Sequence, residues 1–487
     1  MSGVDITAPV DWSKYKWRAS PDDPTHYSRE AAGSEVIEDV WHRFVHGEQF
    51  LFHGTNLTFN AAISPEDLLA HTRKAWVALR FTNPLIGAHT EYTEANVPLI
   101  TYRSEADVQK VEAWAQRTVK LASNVKDIDE LRFELSKVTL PDSNQDQTFV
   151  HILQYSETKY GFLLHTSHIP FDGSGVNIII NSLLAKIARS LGGKEETFQW
   201  GTEAVNLPLV SHDLIEVKED SEFHETLGSV LGDLATHIPK RHGFKERSIG
   251  PGPTRRLGFR FSAEESQKIL DGIKQAGFTV NQFLNAALTI VAYLDNPPAS
   301  PSSSDGVFVY YGLVDGRKQL PSAHRRHPGY SLAVSGLYVP VKAVGEAIAQ
   351  GEKHALHETA KIMRTQYLRQ AAYKNLLAVQ APFIDIFLTD LRRGIIPPPA
   401  MGPSYAGDGV ADDYLDGEYK DDAGVVRITI DNMFVSLNKT DPGPFFRAYT
   451  FKKQLNLSVD YNEHAMPRDV VQGFLDKWAE LTRLIVF

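Results

Sequence analysis

The sequence predicts an α/β protein with mixed sheets, built in two lobes. Three observations carry this reading. In both halves, helical spacings of apolar residues interleave with short strand-like runs. The clearest helical pattern, over residues 174–191, directly follows two such runs. A Pro/Gly stretch, Ser248-Ile-Gly-Pro-Gly-Pro-Thr254, reads as the linker between the halves. The expected division is a first lobe over 1–205, a crossover over 206–254 and a second lobe over 255–487. With 487 residues, each lobe is long enough to bury its own core.

Taken in order, residues 35–46 and 64–80 read as helices, the second opened by Ser64-Pro65-Glu66-Asp67 with Ser as N-cap and Pro in the first turn. A further amphipathic helix is expected over 105–121. Residues 148–155 and 160–166 read as strands joined by a turn at Glu157-Thr158-Lys159. In 174–191, Val176, Ile179, Ile180, Leu183, Leu184, Ile187 and Leu191 fall on one face, and Gly192-Gly193 ends the helix. From 206 to 254 the patterning weakens. The second half restarts with a strand at Leu257–Phe261, a helix opened by Ser262-Ala-Glu-Glu265 and another over 279–294. Pro297 to Asp305 is a Pro/Ser-rich loop. Strands are expected at 307–313, 332–339, 425–431 and 453–460, and helices at 345–371 and 467–484. The aromatic N-terminus (Trp12, Tyr15, Trp17, Tyr27) reads as an extended arm packed across a lobe.

Composition narrows the function classes. The chain has no cysteine, which excludes a disulfide scaffold, a Cys nucleophile and a thiolate metal site. Its 50 basic and 60 acidic residues give a net charge of −10, against a general nucleic-acid binder. No stretch approaches the roughly 18 apolar residues of a membrane span, and Met1 to Lys16 lacks the basic and apolar regions of a signal peptide. A monomeric cytoplasmic protein is expected. GxSxG, P-loop and dinucleotide glycine patterns are missing. His42 and His46 stand four apart on a helix, but with no third ligand in view a metal site is not expected.

The strongest constellation is His168-Ile-Pro-Phe-Asp172-Gly173, the one HxxxD among 18 histidines. About one such spacing arises by chance in a chain like this, so its context carries the weight. A histidine between a strand and a helix can project into a cleft as a general base. Backbone N–H groups at the helix start, Gly173 among them, can stabilise an oxyanion. The same spacing also suits a loop histidine and an Asp that only caps a helix.

The stretch Leu164-His-Thr-Ser-His168-Ile-Pro-Phe-Asp172-Gly-Ser-Gly-Val176 resembles the HxxxDG core of the CoA-dependent acyltransferase superfamily. That superfamily includes chloramphenicol acetyltransferase, the plant BAHD enzymes and the condensation domains of peptide synthetases. Leu79-Arg80-Phe-Thr-Asn-Pro84-Leu85, Gly277-Phe-Thr-Val-Asn-Gln-Phe-Leu-Asn-Ala-Ala287, Val314-Asp-Gly-Arg317 with Pro328-Gly-Tyr330, and Gln454 to Glu463 resemble further elements in the same order. The nearest type is the fungal trichothecene 15-O-acetyltransferase. Two departures stand out. The BAHD DFGWG motif is missing, the nearest stretch being Asp431-Asn-Met-Phe-Val-Ser436. Ser167 stands where condensation domains carry a second His, which favours a free acyl-CoA donor.

The resemblance implies a two-lobed chloramphenicol-acetyltransferase-like fold with the site in a channel between the lobes. It implies an O-acyltransferase, with acetyl-CoA as co-substrate and a hydroxyl of a small secondary metabolite such as a terpenoid or polyketide as acceptor. His168 would be the general base, with no acyl-enzyme. Asp172 would point away from the substrate and pair with an arginine, for which Arg317 is the candidate. Gly173 N–H would be the candidate backbone oxyanion donor, and Asn432, Ser436, Asn456 and Ser458 remain open as side-chain donors. For the CoA phosphates, Lys240, Arg241, Arg255 and Arg256, with Lys245 and Arg247, form one basic cluster, and Arg325 and Arg326 within His324-Arg-Arg-His327 a second. Two rival readings remain: the same fold acting without acyl transfer, as a cyclase, isomerase or condensation-like enzyme, and a non-catalytic binding homologue in which His168 is dispensable.

Overall fold

A computed structural model describes all residues except 1–5, 46–49, 249, 301–303, 396–400 and 487. The described residues hold four sheets. A small antiparallel sheet joins β1 (Arg18–Ala19), β2 (His26–Glu30), β4 (His89–Tyr92) and β5 (Pro98–Arg103) in the order β1-β2-β5-β4. The largest sheet contains β3 (Phe50–Phe59), β6 (Val119–Leu121), β7 (Thr148–Gln154), β8 (Lys159–Ser167), β14 (Glu418–Lys420) and β15 (Val426–Leu437). Its order is β14-β15-β3-β8-β7-β6, so two strands from the second half complete the sheet of the first. A third sheet runs β10-β17-β16-β13, from β10 (Thr254–Arg260), β13 (Ser404–Val410), β16 (Phe445–Phe451) and β17 (Gln454–Asn462). The fourth joins β9 (Arg241–His242), β11 (Val307–Asp315) and β12 (Leu332–Pro340) in the order β12-β11-β9. Parallel pairs (β6–β7, β13–β16, β9–β11) stand beside antiparallel ones, so three of these sheets are mixed.

The helix Gly173–Leu191 follows β8 because Asp172 caps it, accepting from Gly175 N–H. Its face of Val176, Ile179, Ile180, Leu183, Leu184 and Ile187 is buried in the largest apolar cluster with β3, β8 and the helix Pro65–Thr82. In the third sheet the register opposes Arg447 to Ser458 and Phe446 to Val459. Alternation therefore sends Phe446, Ala448, Leu455, Leu457 and Val459 into a second core. Arg447, Tyr449, Asn456, Ser458 and Asp460 share the opposite face. That polar face meets the end of β15, where Ser436 Oγ donates to Asp460 (2.6 Å) and Tyr449 OH to Met433 O (2.7 Å).

Several elements differ from expectation. The 105–121 helix stops at Thr118, and 119–121 becomes β6 beside β7. The 345–371 helix is two helices, Val341–Ile348 and Glu352–Ala372, broken where Gly351 takes a positive φ of 104°. The weakly patterned 206–254 carries a helix, Ser221–His237, capped by Asp220. The N-terminal arm packs along residues 208–219, Trp12 donating to Glu219 and Trp17 to Pro208 O. Among the described residues no single helix is long and apolar enough to cross a membrane.

Candidate active site

β8 ends at Ser167, and the chain turns through His168–Asp172 before the helix begins. Ile169 and Phe171 anchor this turn, both nearly fully buried. His168 is 9% exposed, and its Nδ1 lies 2.7 Å from the Phe171 carbonyl oxygen. A carbonyl only accepts, so Nδ1 carries the hydrogen and the lone pair belongs to Nε2.

Asp172 faces away from that nitrogen and is fully engaged. Arg317 donates to it twice, Nη1 to Oδ2 and Nη2 to Oδ1, each at 2.9 Å. Gly175 N–H donates to Oδ1 at 2.7 Å and Ser331 N–H to Oδ2 at 2.8 Å. The remaining donors of Arg317 reach Asp315, the His327 carbonyl and the Gly329 carbonyl. Burial alone would lower the Arg317 pKa; the carboxylates of Asp172 and Asp315 outweigh it and hold the guanidinium above its ordinary value. Gly175 is required here, because a Cβ would stand 2.5 Å from the Pro328 carbonyl oxygen.

The other side of His168 holds residues to which sequence reasoning assigned no role. Tyr330 lies against the imidazole, with ring centroids 5.8 Å apart, and donates its OH to Glu38 Oε1 at 2.9 Å. Glu38 Oε1 is 3.8 Å from His168 Nε2. Burial pushes the Glu38 carboxyl up, against the opposing pull of His168 and the Tyr330 hydroxyl. Tyr330 falls within the Pro328-Gly-Tyr330 element, whereas Glu38 carries no sequence signal. A cavity of about 490 Å³ opens alongside, lined by Ser167 and Ile169 on either side of His168, and by His42, Thr90, Tyr92 and Gln147. Gln147 Nε2 is buried there without a hydrogen-bond partner. His42 thus lines a cavity; His46 lies outside the described residues.

The polar face of the third sheet lies across from the start of the helix. A Cβ at Gly173 would stand 3.8 Å from Nη1 of Arg447, which is paired with Asp408 at 2.7 Å. Of the polar side chains named from sequence, three are engaged: Asn432 with Asn56, Ser436 with Asp460, and Asn456 with Arg260 and the Gln454 carbonyl. The Ser458 hydroxyl is buried without a partner, beside Arg447 on the same face.

Most of the candidate phosphate-binding cations stand beside carboxylates. Lys240 and Arg241 flank the start of β9, Lys240 near Asp305 (3.8 Å). Arg247 pairs with Asp295, and Lys245 is exposed. Arg255 pairs with Glu463 (2.6 Å), and Arg256 lies over the Phe434 ring near Asp129. Arg326 is 3.3 Å from Asp416. Arg241 and Arg325 are exposed and have no carboxylate partner among the described residues. His327 is buried behind Arg317, and burial, with the Arg317 charge, lowers its pKa to about 3.

Comparison with known proteins agrees with this architecture. The family described as 15-O-acetyltransferase Tri3 matches residues 7–385. A putative 15-O-acetyltransferase, SAT12, of Stachybotrys chartarum is 23% identical over 95% of this chain and 89% of its own length. Trichothecene 15-O-acetyltransferase TRI3 of Fusarium sporotrichioides is 21% identical over 98% of both chains. The solved TRI3 structure superposes with a TM-score of 0.86 at 18% identity, over 98% of this chain and 99% of that one. The starter condensation domain of rhizomide synthetase, solved as a point mutant in complex with C8-CoA, superposes at 0.60 and 12% identity, over 94% of this chain and 95% of that one. The two-lobed fold is thus that of TRI3 and the condensation domains, and the chain belongs to the Tri3 family of 15-O-acetyltransferases.

Proposed function

We propose that the protein transfers an acetyl group from acetyl-CoA to a hydroxyl of a small secondary metabolite, by direct attack and without an acyl-enzyme. The observation that carries the reading is His168, with Nδ1 committed to the Phe171 carbonyl and the Nε2 lone pair left free, facing Glu38 at 3.8 Å. Nε2 takes the acceptor's proton as its oxygen attacks the thioester carbonyl. The tetrahedral intermediate then expels the thiolate, which receives the proton back from Nε2. Asp172 and Arg317 are positioning residues that hold the turn. Gly173 N–H and the unpartnered Ser458 hydroxyl are the oxyanion donors this reading favours. Arg241 and Arg325, whose charges no carboxylate among the described residues offsets, are its favoured phosphate contacts. The 490 Å³ cavity suits the acceptor, being in the size range of small-molecule sites.

The test is thiol release from acetyl-CoA with a thiol-reactive dye and a panel of hydroxylated terpenoids and polyketides. The chain has no cysteine, so the dye reads CoA alone. Acceptor-dependent release in wild type, and its loss in His168→Ala, is the expected result. Absence of release with every acceptor, together with no saturable binding of acetyl-CoA, would rule the reading out.

A further inference from the structure

Glu38 faces Nε2 of His168, the atom that takes the proton in the proposed reaction. It stands on the helix Ser34–Phe44, 9% exposed, with Oε1 3.8 Å from His168 Nε2. That gap is too wide for a direct hydrogen bond. An atom hydrogen-bonded to both would stand to one side of the line between them, about 2.8 Å from each, a normal hydrogen-bond length. Tyr330 holds the carboxyl in place through its OH while its ring lies against the imidazole, so one side chain fixes both groups. Glu38 Oε2 is buried and has no partner. A buried carboxyl without a cation is costly unless a charge develops beside it.

We infer that Glu38 is the counter-charge of the reaction centre: its carboxylate balances the positive charge that His168 acquires on taking the acceptor's proton. The inference rests on the acyl-transfer reading above. Glu38 itself gains and loses no proton. The acceptor O–H bond breaks, its proton passes to Nε2 and the new C–O bond forms; when the C–S bond breaks, the proton passes from Nε2 to sulfur. Throughout, the imidazolium stays beside an anion in a poorly solvated site, where attraction is strong. The groups facing Glu38 are few. His168 and Tyr330 come from the opposing loops. On its own helix Glu35 is paired with Arg29, Asp39 with Arg43, and His42 follows one turn later. The neighbouring acids are already neutralised, leaving Glu38 as the anion available to His168.

The test is Glu38→Gln, whose amide oxygen still accepts from Tyr330 and whose size matches. Two readings are taken: the pH profile of acetyl transfer, and titration of the His168 ring by NMR in ¹³C-histidine-labelled enzyme, with the resonance assigned by its loss in His168→Ala. Glu38→Gln is expected to lower kcat about tenfold or more with little change in the acceptor KM. The acid limb and the His168 titration midpoint should both move down by about one to three pH units. An unmoved midpoint, or a raised KM with kcat and acid limb intact, overturns the inference, since either would make Glu38 a substrate contact or a packing residue. Should Glu38→Gln fail to fold, Tyr330→Phe carries the test with opposite sign. Losing the donated hydrogen bond leaves the Glu38 charge less shared, so its attraction for the imidazolium grows and the acid limb, which reports His168, moves up; an unmoved limb overturns the inference. If the His168 midpoint drops in Glu38→Gln while no acceptor triggers thiol release from wild type, the acyl-transfer reading fails and the His168–Glu38 coupling stands.

Discussion

At the scale of single residues, the Asp172–Arg317 pair is a closed account. Each carboxylate oxygen takes two donors, and Arg317 spends its guanidinium on two aspartates and two backbone carbonyls. Nothing on either side chain remains for a substrate, so the pair acts through the turn that carries His168. Arg317→Met leaves Asp172 buried without its cation and is expected to cost about 3–5 kcal/mol of stability. Arg317→Lys keeps the charge but cannot fork to both oxygens and both carbonyls, so it should fold and lose kcat. Urea unfolding and steady-state kinetics on the two variants check this. His168, Asp172 and Arg317 were legible in the sequence because motifs mark them. Glu38 was not, since its partner Tyr330 lies 292 residues away and no local pattern announces such a meeting. Which of the four candidate polar side chains stays free was also illegible, because it depends on the hydrogen bonds the fold has already used.

At the scale of elements, the central sheet carries an unusual load of buried imidazole. Register places His165 of β8 opposite Phe52 of β3, and the rings stack at 4.7 Å. His151 of β7 lies 6.2 Å from His165, and His53 of β3 is also fully enclosed. Burial lowers all three, His53 to about 4, His151 to about 3 and His165 well below its ordinary value. Unfolded, each titrates at about 6.5. Between those values the unfolded chain binds more protons, so this part of the stability is complete above about pH 6.5 and is lost as pH falls toward the folded values. The melting temperature should therefore decline from pH 7 to pH 4.5, and His151→Phe should flatten the decline; calorimetry across that range is the check. β7 and β8 were readable as apolar strands flanking a turn. β3 carries no clear strand signal because Gly54, Thr55, Asn56 and Thr58 dilute its apolar run, although Leu51, Phe52 and Leu57 are buried. The helix Ser221–His237 escaped for a similar reason: Gly228, Ser229 and Gly232 interrupt the spacing of Phe223, Leu227, Val230, Leu231 and Leu234.

At the scale of the whole molecule, the two halves are fastened at the strand level. β15 pairs with β3 from Ile428↔Phe59 to Leu437↔Leu51, and its end is tied to β17 through Ser436, Leu437 and Asp460. Arg132 of the first half donates to the Thr254 carbonyl of β10. Residues 1–254 produced alone would leave the ten-residue β3 as an open edge. They should aggregate, and co-production with residues 255–487 should recover a soluble complex, as gel filtration would report. The alternation of β and α segments made the fold class legible, but no pattern in 418–437 says which half it will join, because strand pairing is settled by partners far away in sequence.

That shared strand bears on how such enzymes diversify. Material from both halves meets at the turn that carries His168: Glu38 from one, Tyr330 and Arg317 from the other. A chimera cut at the linker would join β3 of one parent to β15 of another along about ten residues of backbone, with Phe434 packed on Gly54 so closely that a Cβ there would lie 2.4 Å from the ring. A unit that could be exchanged without disturbing this seam is therefore discontinuous, residues 1–254 together with 418–437.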